Sequence, residues 1–288
     1  RFGVSQRLLL TQKGRLTPHT LSMTATPIPR TLVLAQYGEM EVSQLDEMPP
    51  GRQAIDTRVV AIERMSEVAD GVGRHLEGGQ QAYWVCPMVR EHETEDIAAA
   101  EARFAALKHR FGDEVVLVHG QLKPELKDAA MERFASGAAK LLVATTVIEV
   151  GVDVPNATLM VIENAERLGL AQLHQLRGRV GRGSTESSCV LLYRMPLSQL
   201  ARARLQVMRE TSDGFRIAEK DLELRGPGEV LGTRQTGQLV FRVADLARDA
   251  ALLPAVQHIG EVLLRDHPDL AERLIARWIG PAARYAGA

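Results

Sequence analysis

Two apolar runs and the polar, glycine-containing turn between them make up residues 141–162, LLVATTVIEVGVDVPNATLMVI. The runs Leu141–Ala144 and Leu159–Ile162 have the length of buried strands. Similar runs recur along the chain, with helical patterns between them. Strands are also predicted at Thr20–Ala25, Ile55–Val60, Ala82–Cys86, Val115–Val118 and Cys189–Tyr193, and helices at Glu95–His109, Pro124–Ser136 and Leu170–Arg177. This alternation predicts an α/β fold in which helices cover both faces of a parallel sheet.

Three segments are predicted along the chain. Residues 1–51 hold one predicted strand and end at Pro49-Pro50-Gly51, which is too little to close a sheet, so they are expected to end a preceding domain. Residues 52–198 hold enough strands and helices for a complete α/β domain. Residues 199–288 are mainly helical in pattern, with a glycine-rich interruption at Gly226–Gly237.

The composition is that of an ordinary soluble globular protein, with 45% hydrophobic and 25% charged residues, and it excludes a disordered or fibrous chain. The net charge of -1 does not indicate a nucleic-acid partner, but residues 1–38 contain five basic residues and no acid. Such a local basic face can bind phosphates. No apolar stretch approaches the roughly 18 residues of a membrane span.

The two cysteines, Cys86 and Cys189, lie in predicted strands and are expected to be buried free thiols rather than a disulfide or a metal site. Free thiols favour the reducing cytoplasm as the location of the protein. The chain opens on Arg1-Phe2-Gly3-Val4, which is no signal peptide and is interpreted as a cut inside a larger protein.

No phosphate-binding loop of the form Gly-x-x-x-x-Gly-Lys-Ser/Thr occurs, nor does an acidic Asp-Glu motif at a strand end. The chain is therefore not expected to hold a triphosphate and its metal alone, and no metal site is predicted.

The run Gln175–Arg182, QLRGRVGR, is the strongest chemical signal. It places three arginines within six residues, punctuated by Gly178 and Gly181. Arginine holds phosphate oxygens through paired donors and keeps its charge, and glycine permits sharp turns. A solvated basic turn is the alternative, but the glycine spacing and the clustered arginines favour phosphate contact.

Three further segments carry weaker signals. Thr145–Pro155 follows a predicted strand and suits phosphate or ribose contact, or equally a capped strand-to-helix turn. Thr24-Ala25-Thr26 follows another strand, although Thr-Pro turns are common. His119 also lies at a strand end, where a lone histidine is usually structural.

Together these motifs resemble those of the superfamily-two helicases, with Thr24–Thr26 similar to the third motif, Thr145–Pro155 to the fifth and Gln175–Arg182 to the sixth. Within that superfamily the bacterial branch-migration helicases are the closer resemblance, and it covers essentially the whole chain. The stretches that carry it are MTATPIPRTL (23–32), EVGVDVPNA (149–157), NAERLGLAQLH (164–174), AEKDLELRGPGE (218–229) and GTRQTG (232–237). The transcription-repair coupling factors, which share the helicase and translocation motifs, are the competing resemblance.

The resemblance implies a RecA-like sheet and ATP, with Mg²⁺, bound between two such lobes. Residues 1–51 would end the first lobe, 52–198 would form the second, and 199–288 would be a helical region containing the translocation motif. Arg179 and Arg182 would reach the γ-phosphate, with Gln175 nearby. Gly151 and Asp153 would line the same cleft. The phosphate loop and the metal ligands would lie upstream, so the isolated chain is expected to be inactive.

The resemblance also implies a monomeric DNA helicase and translocase of the bacterial cytoplasm. It would remodel stalled replication forks and branch-migrate Holliday junctions in recombination and DNA repair. The residues implied in DNA contact or in coupling are Thr24, Thr26, His119, Thr145, Thr146, Arg225, Arg234 and Gln235. A module that only binds nucleic acid is the alternative for the chain alone.

Overall fold

A computed structural model of the chain describes residues 53–87, 93–145, 154–183, 185–225 and 249–278, and the single positions 21, 23, 43, 45 and 47. The strand predicted at Thr20–Ala25 therefore lies almost wholly outside the described residues. None of the described helices combines the length and the apolar composition needed to cross a membrane.

A six-stranded parallel sheet lies at the centre of the described chain, and its strands follow the order β1-β6-β5-β2-β4-β3. The strands are β1 Ile55–Ala61, β2 Gln81–Val85, β3 Val115–Val118, β4 Leu141–Ala144, β5 Ala157–Ile162 and β6 Ser187–Tyr193. Six of the predicted strands are confirmed. They are those predicted at Ile55–Val60, Ala82–Cys86, Val115–Val118, Leu141–Ala144, Leu159–Ile162 and Cys189–Tyr193. Because β2, β4 and β5 are buried along their whole length, they show continuous apolar runs rather than alternation.

Eight helices accompany the strands among the described residues. They are α1 Met65–Glu77, α2 Glu93–Phe111, α3 Pro124–Ala135, α4 Leu170–Arg177, α5 Gln199–Glu210, α6 Gly214–Arg225, α7 Leu253–Asp266 and α8 Pro268–Trp278. The three helices predicted from sequence correspond to α2, α3 and α4. Local chemistry sets several helix starts: Pro124 occupies the first turn of α3, and the Ser198 hydroxyl accepts a hydrogen bond from the Ala201 N–H at the start of α5.

Helices cover both faces of the sheet, as predicted. Alternate residues of a strand point to opposite faces. On one face Trp84 of β2 packs in a core with side chains of α1 and α2, such as Val72 and Leu107. On the other face the ring of Tyr83 lies 5.0 Å from that of Phe134 in α3. The sheet is therefore the middle layer of a three-layer α/β unit.

The chain divides into two compact units, one of which is Gln44–Asp221. Within this unit α5 packs against β1 and against the short 3-10 turn Ala165–Arg167. In the other unit, which includes residues 222–288, α7 and α8 pack against each other. The boundaries at residues 51 and 198 stay a prediction.

The buried guanidinium of Arg177 joins α4 to the end of α5. Arg177 is 2% exposed, and its Nη1 donates to the carbonyl oxygens of Met208 at 2.8 Å and Thr211 at 2.9 Å. The hydroxyl of Thr57 in β1 lies 3.4 Å from the same nitrogen. Burial lowers the pKa of Arg177. The carbonyls at a helix C-terminus carry partial negative charge, so they are suitable partners for a buried cation.

Replacing Arg177 by Met should lower the free energy of unfolding by about 3 kcal/mol, because a buried and a partly buried carbonyl group lose a charged donor. Arg133 is the matched control, since it also donates to a backbone carbonyl, that of Asp113, but at an exposed position. Arg133→Met should cost well under half as much. Equal losses in urea-unfolding measurements would contradict the anchoring role of Arg177.

Candidate functional site

The arginine run lies at the edge of the sheet where the strands begin. Helix α4 follows β5 and runs back toward the start of β6, so residues 178–183 lie at this amino-terminal edge. A Cβ atom added to Gly181 would lie 2.9 Å from Cγ1 of Ile55 and 3.8 Å from Cβ of Ser187, the first residues of β1 and β6. Parallel sheets usually bind ligands beyond the carboxyl ends of their strands, whereas this segment lies at the other edge. The physical reason is the path of α4, which carries its C-terminus across the sheet.

A tight turn fixes the arginines of the run. The N–H of Arg179 donates to the carbonyl of Leu176 at 3.0 Å, and that of Val180 donates to the carbonyl of Arg177 at 3.3 Å. Val180 is fully buried. Its neighbour Arg179 is half-buried, and Arg182 is exposed. The turn thus holds two arginines toward the outside around a buried valine.

Gly181 cannot be replaced by any larger residue in this turn. Its φ of +75° lies in the left-handed region, which side chains rarely adopt. Any Cβ would also overlap Ile55, so both strain and contact exclude a larger residue. Gln175 is half-buried in the last turn of α4, next to this segment.

The fifth-motif stretch ends close to the arginine run. A Cβ on Gly183 would lie 3.6 Å from the carbonyl oxygen of Pro155. Gly151, Asp153 and Thr146, the residues predicted to contribute from this stretch, lie outside the described residues. The described end of the stretch therefore reaches the same edge as the arginines.

His119 and Thr145 lie at the opposite, carboxyl-terminal edge. They directly follow Val118 and Ala144, which are paired in the register of β3 and β4, so the two residues are neighbours at the strand ends. His119 is 5% exposed and Thr145 is fully buried. Within the described part of the chain, Nδ1 of His119 and Oγ1 of Thr145 have no hydrogen-bond partner. Buried polar atoms usually have one. Each of these two atoms has less than 1 Å² exposed, so an external partner would reach them only after the strand ends move.

The remaining candidates from sequence are not placed. Thr24, Thr26, Arg234 and Gln235 lie outside the described residues. Arg225 is the last residue of α6, and only its backbone is described.

Sequence reasoning missed two buried charged residues. Arg177 was counted among the phosphate-type arginines of the run, and no local signal separates it from Arg179. Glu163, which follows β5, is 7% exposed and accepts a hydrogen bond from the Trp84 indole at 2.6 Å. The only sequence signal for Glu163 was its position directly after a predicted buried strand. That position does not reveal a partner such as Trp84, which is distant in sequence.

The predicted free thiols are confirmed. Burial raises the pKa of Cys189 to about 12 and also raises that of Cys86. Both thiols therefore stay protonated at neutral pH and are poor nucleophiles.

The described residues fit the anionic part of a nucleotide. Arg179 and Arg182 provide permanent positive charge on a fixed turn, and guanidinium donors suit phosphate oxygens. Among the described residues, no group of three or more His, Cys, Asp or Glu side chains could hold a metal ion.

Comparisons with known proteins show the family of the chain. The family model "Helicase conserved C-terminal domain" matches residues 62–184, and the model "ATP-dependent DNA helicase RecG, domain 3, C-terminal" matches residues 211–275. A solved structure of RecG bound to a three-way DNA junction is 46% identical, with a TM-score of 0.65, over 83% of this chain and 31% of that chain.

The curated relatives are longer proteins than this chain. ATP-dependent DNA helicase RecG of Escherichia coli K12 is 54% identical over 293 residues, which cover 100% of this chain and 42% of the relative. The RecG of Bacillus subtilis is 46% identical over 92% of this chain and 39% of the relative. The chain thus spans about two fifths of the length of these relatives. By identity along its whole length and by the RecG-specific model over its helical region, the chain belongs to the RecG family of ATP-dependent DNA helicases.

Proposed function

We propose that this chain is the C-terminal motor part of an ATP-dependent DNA helicase that acts on branched DNA. The observation that carries the proposal is the turn at the end of α4, which buries Arg177 and leaves Arg179 and Arg182 around Val180 at one edge of the sheet. Arg177 donates to the Met208 and Thr211 carbonyls, so Arg179 and Arg182 are the arginines of the run that we propose to contact a ligand. This is the division expected of an arginine finger whose base must be rigid.

The amino-terminal edge would form half of a nucleotide site. Arg179 and Arg182 would stabilise the negative charge that develops on the γ-phosphate, with Gln175 beside them. Gly151 and Asp153 would line the same cleft, and the contact of Gly183 with Pro155 supports the nearness of their segment. The phosphate loop and the Mg²⁺ ligands would come from a preceding RecA-like lobe, to which residues 1–51 would contribute the end.

The carboxyl-terminal edge would contact the DNA backbone. The unpartnered atoms of His119 and Thr145 support this role, because a phosphate oxygen could supply the missing acceptor once the residues that cover these atoms move aside. Thr146 would extend this contact, and Thr24 and Thr26 would link the nucleotide state to DNA. Such contacts are independent of base sequence and weaken as salt concentration rises.

The region after α5 would convert closure of the lobes into movement along DNA. Residues 199–288 contain α6 and the segment that resembles the translocation motif, with Arg225, Arg234 and Gln235 as its functional residues. Support comes from Arg177, which attaches the arginine run to Thr211, where the match to the RecG-specific model begins.

Branched DNA is the proposed substrate. The support is the 46% identity to RecG in a structure bound to a three-way DNA junction. We further propose that the protein remodels stalled forks and migrates Holliday junctions in recombination and repair. The protein would act as a monomer in the bacterial cytoplasm.

Arg179→Ala or Arg182→Ala in the full-length protein should lower DNA-stimulated ATP hydrolysis by about 10³-fold. The reason is that the negative charge on the γ-phosphate in the transition state would lose an arginine that stabilises it. Arg58→Ala is the matched control, since Arg58 is an exposed arginine of β1 that pairs only locally with Asp56, and it should keep the full rate. Full rates in both finger variants would contradict the assignment. The isolated chain, expected to be inactive, serves as the blank.

Arg225→Ala or Gln235→Ala should abolish junction unwinding while sparing much of the ATP hydrolysis, because these residues would act after the chemical step. Both rates are measured on the same synthetic three-way junction. Equal loss of hydrolysis and unwinding would show a merely structural role.

A further inference from the structure

Glu163 is a buried carboxylate at the carboxyl-terminal edge that the proposed function does not use. Its Oε1 accepts hydrogen bonds from Nε1 of Trp84 at 2.6 Å and from Nε of Arg103 at 2.5 Å, and Nη2 of Arg103 lies 3.3 Å from Oε2. The Glu163 side chain is 9% exposed and that of Arg103 is 27% exposed. Buried ion pairs often add little to stability, since desolvation offsets the attraction. A role in fixing geometry explains this pair better than a gain in stability does.

Helix α2, which carries Arg103, also reaches two other groups at the strand ends. Its Glu101 lies 3.7 Å from Nε2 of His119 after β3. Its Asp96, with a side chain 10% exposed, lies 3.5 Å from Nη1 of Arg167, in the 3-10 turn that follows β5. One helix therefore contacts both the candidate DNA-contact residue and the connection between β5 and α4.

That connection leads directly to the arginine run. After Glu163 the chain turns at Asn164, which has a φ of +44°, and passes through the 3-10 turn into α4. Nη2 of Arg204 in α5 donates to the Glu166 carbonyl at 3.0 Å, so the connection is held from a second side. Helix α4 has eight residues and is about 12 Å long, and its far end bears Gln175–Arg182. Because Arg204 ties the connection to α5 and Arg177 ties the end of α4 to α5, a shift of the connection would move the two helices together, and with them the arginines at the opposite edge.

We propose that Glu163 is a positioning residue that, through Arg103 and α2, couples DNA contact at the carboxyl-terminal edge to the arginine run at the amino-terminal edge. The proposal rests on the proposed function, because it assigns DNA to the edge of His119 and the γ-phosphate to Arg179 and Arg182. DNA that displaces His119 or α2 changes the position of Glu163, and α4 transmits the change as a rigid element.

The test measures ATP hydrolysis by the full-length protein with and without a synthetic three-way junction. Glu163→Gln keeps an acceptor for the Trp84 indole but loses the charge that pairs with Arg103, and Arg103→Met removes the other partner. Both variants should lower the ratio of DNA-stimulated to basal hydrolysis about fivefold or more. In Glu163→Gln the basal rate, the KM for ATP and the melting temperature should stay near wild type, which a purely structural defect would not allow. Arg103→Met should also keep the basal rate and the KM, but its melting temperature should fall, because the buried carboxylate of Glu163 loses its ion-pair partner.

Arg110→Met is the matched control. Arg110 is in the last turn of the same helix and forms an exposed ion pair with Asp70 of α1, away from the strand ends. It should keep the wild-type ratio. Wild-type ratios in Glu163→Gln and Arg103→Met, or equal losses of basal and stimulated rates, would overturn the proposal, as would two variants that fail to fold. A wild-type protein without DNA stimulation would instead contradict the proposed function itself.

Discussion

Arg177 places a positive charge in the interior of the α/β unit, and the arrangement of the candidate site depends on the hydrogen bonds that this buried guanidinium forms. The carbonyl oxygens of Met208 and Thr211, at the end of α5, accept its hydrogen bonds at 2.8 and 2.9 Å. This bond set fixes the end of α4 against the beginning of the RecG-specific region. The next residues, Gly178 to Gly181, then turn around the buried Val180 and leave Arg179 and Arg182 outside. An arginine that acts on a phosphate needs such a base, because a misplaced donor loses most of its electrostatic effect.

Because the sheet is parallel, its two edges present different functional side chains. Strands that all run in one direction place His119, Thr145 and Glu163 where they end, and the returning helix α4 places the arginine run where they begin. The proposed DNA contact and the proposed nucleotide contact therefore lie at opposite edges of one sheet. Helix α4 spans the two edges, and helix α2 contacts the connection that precedes it. These contacts form the route that the proposed coupling between the two sites would use.

Much of the fold could be predicted from sequence because buried parallel strands are short apolar runs, as in Leu141–Ala144, and turn residues separate them. Leu170–Arg177 was predicted with its observed bounds. The division of the arginines was not predictable. Arg177 and Arg179 are two residues apart on the same motif, and only the position of α5, distant in sequence, decides which one is buried. The partner of Glu163 likewise lies 60 residues away, in α2.

The most direct test of this account is a structure of the full-length protein with a non-hydrolysable ATP analogue and a three-way DNA junction. The account predicts that the guanidinium nitrogens of Arg179 and Arg182 lie within about 3.2 Å of the γ-phosphate oxygens. Arg177 should keep its bonds to the Met208 and Thr211 carbonyls, and DNA phosphates should lie at His119 and Thr145. A nucleotide at the carboxyl-terminal edge, or a γ-phosphate bound by Arg177, would contradict it.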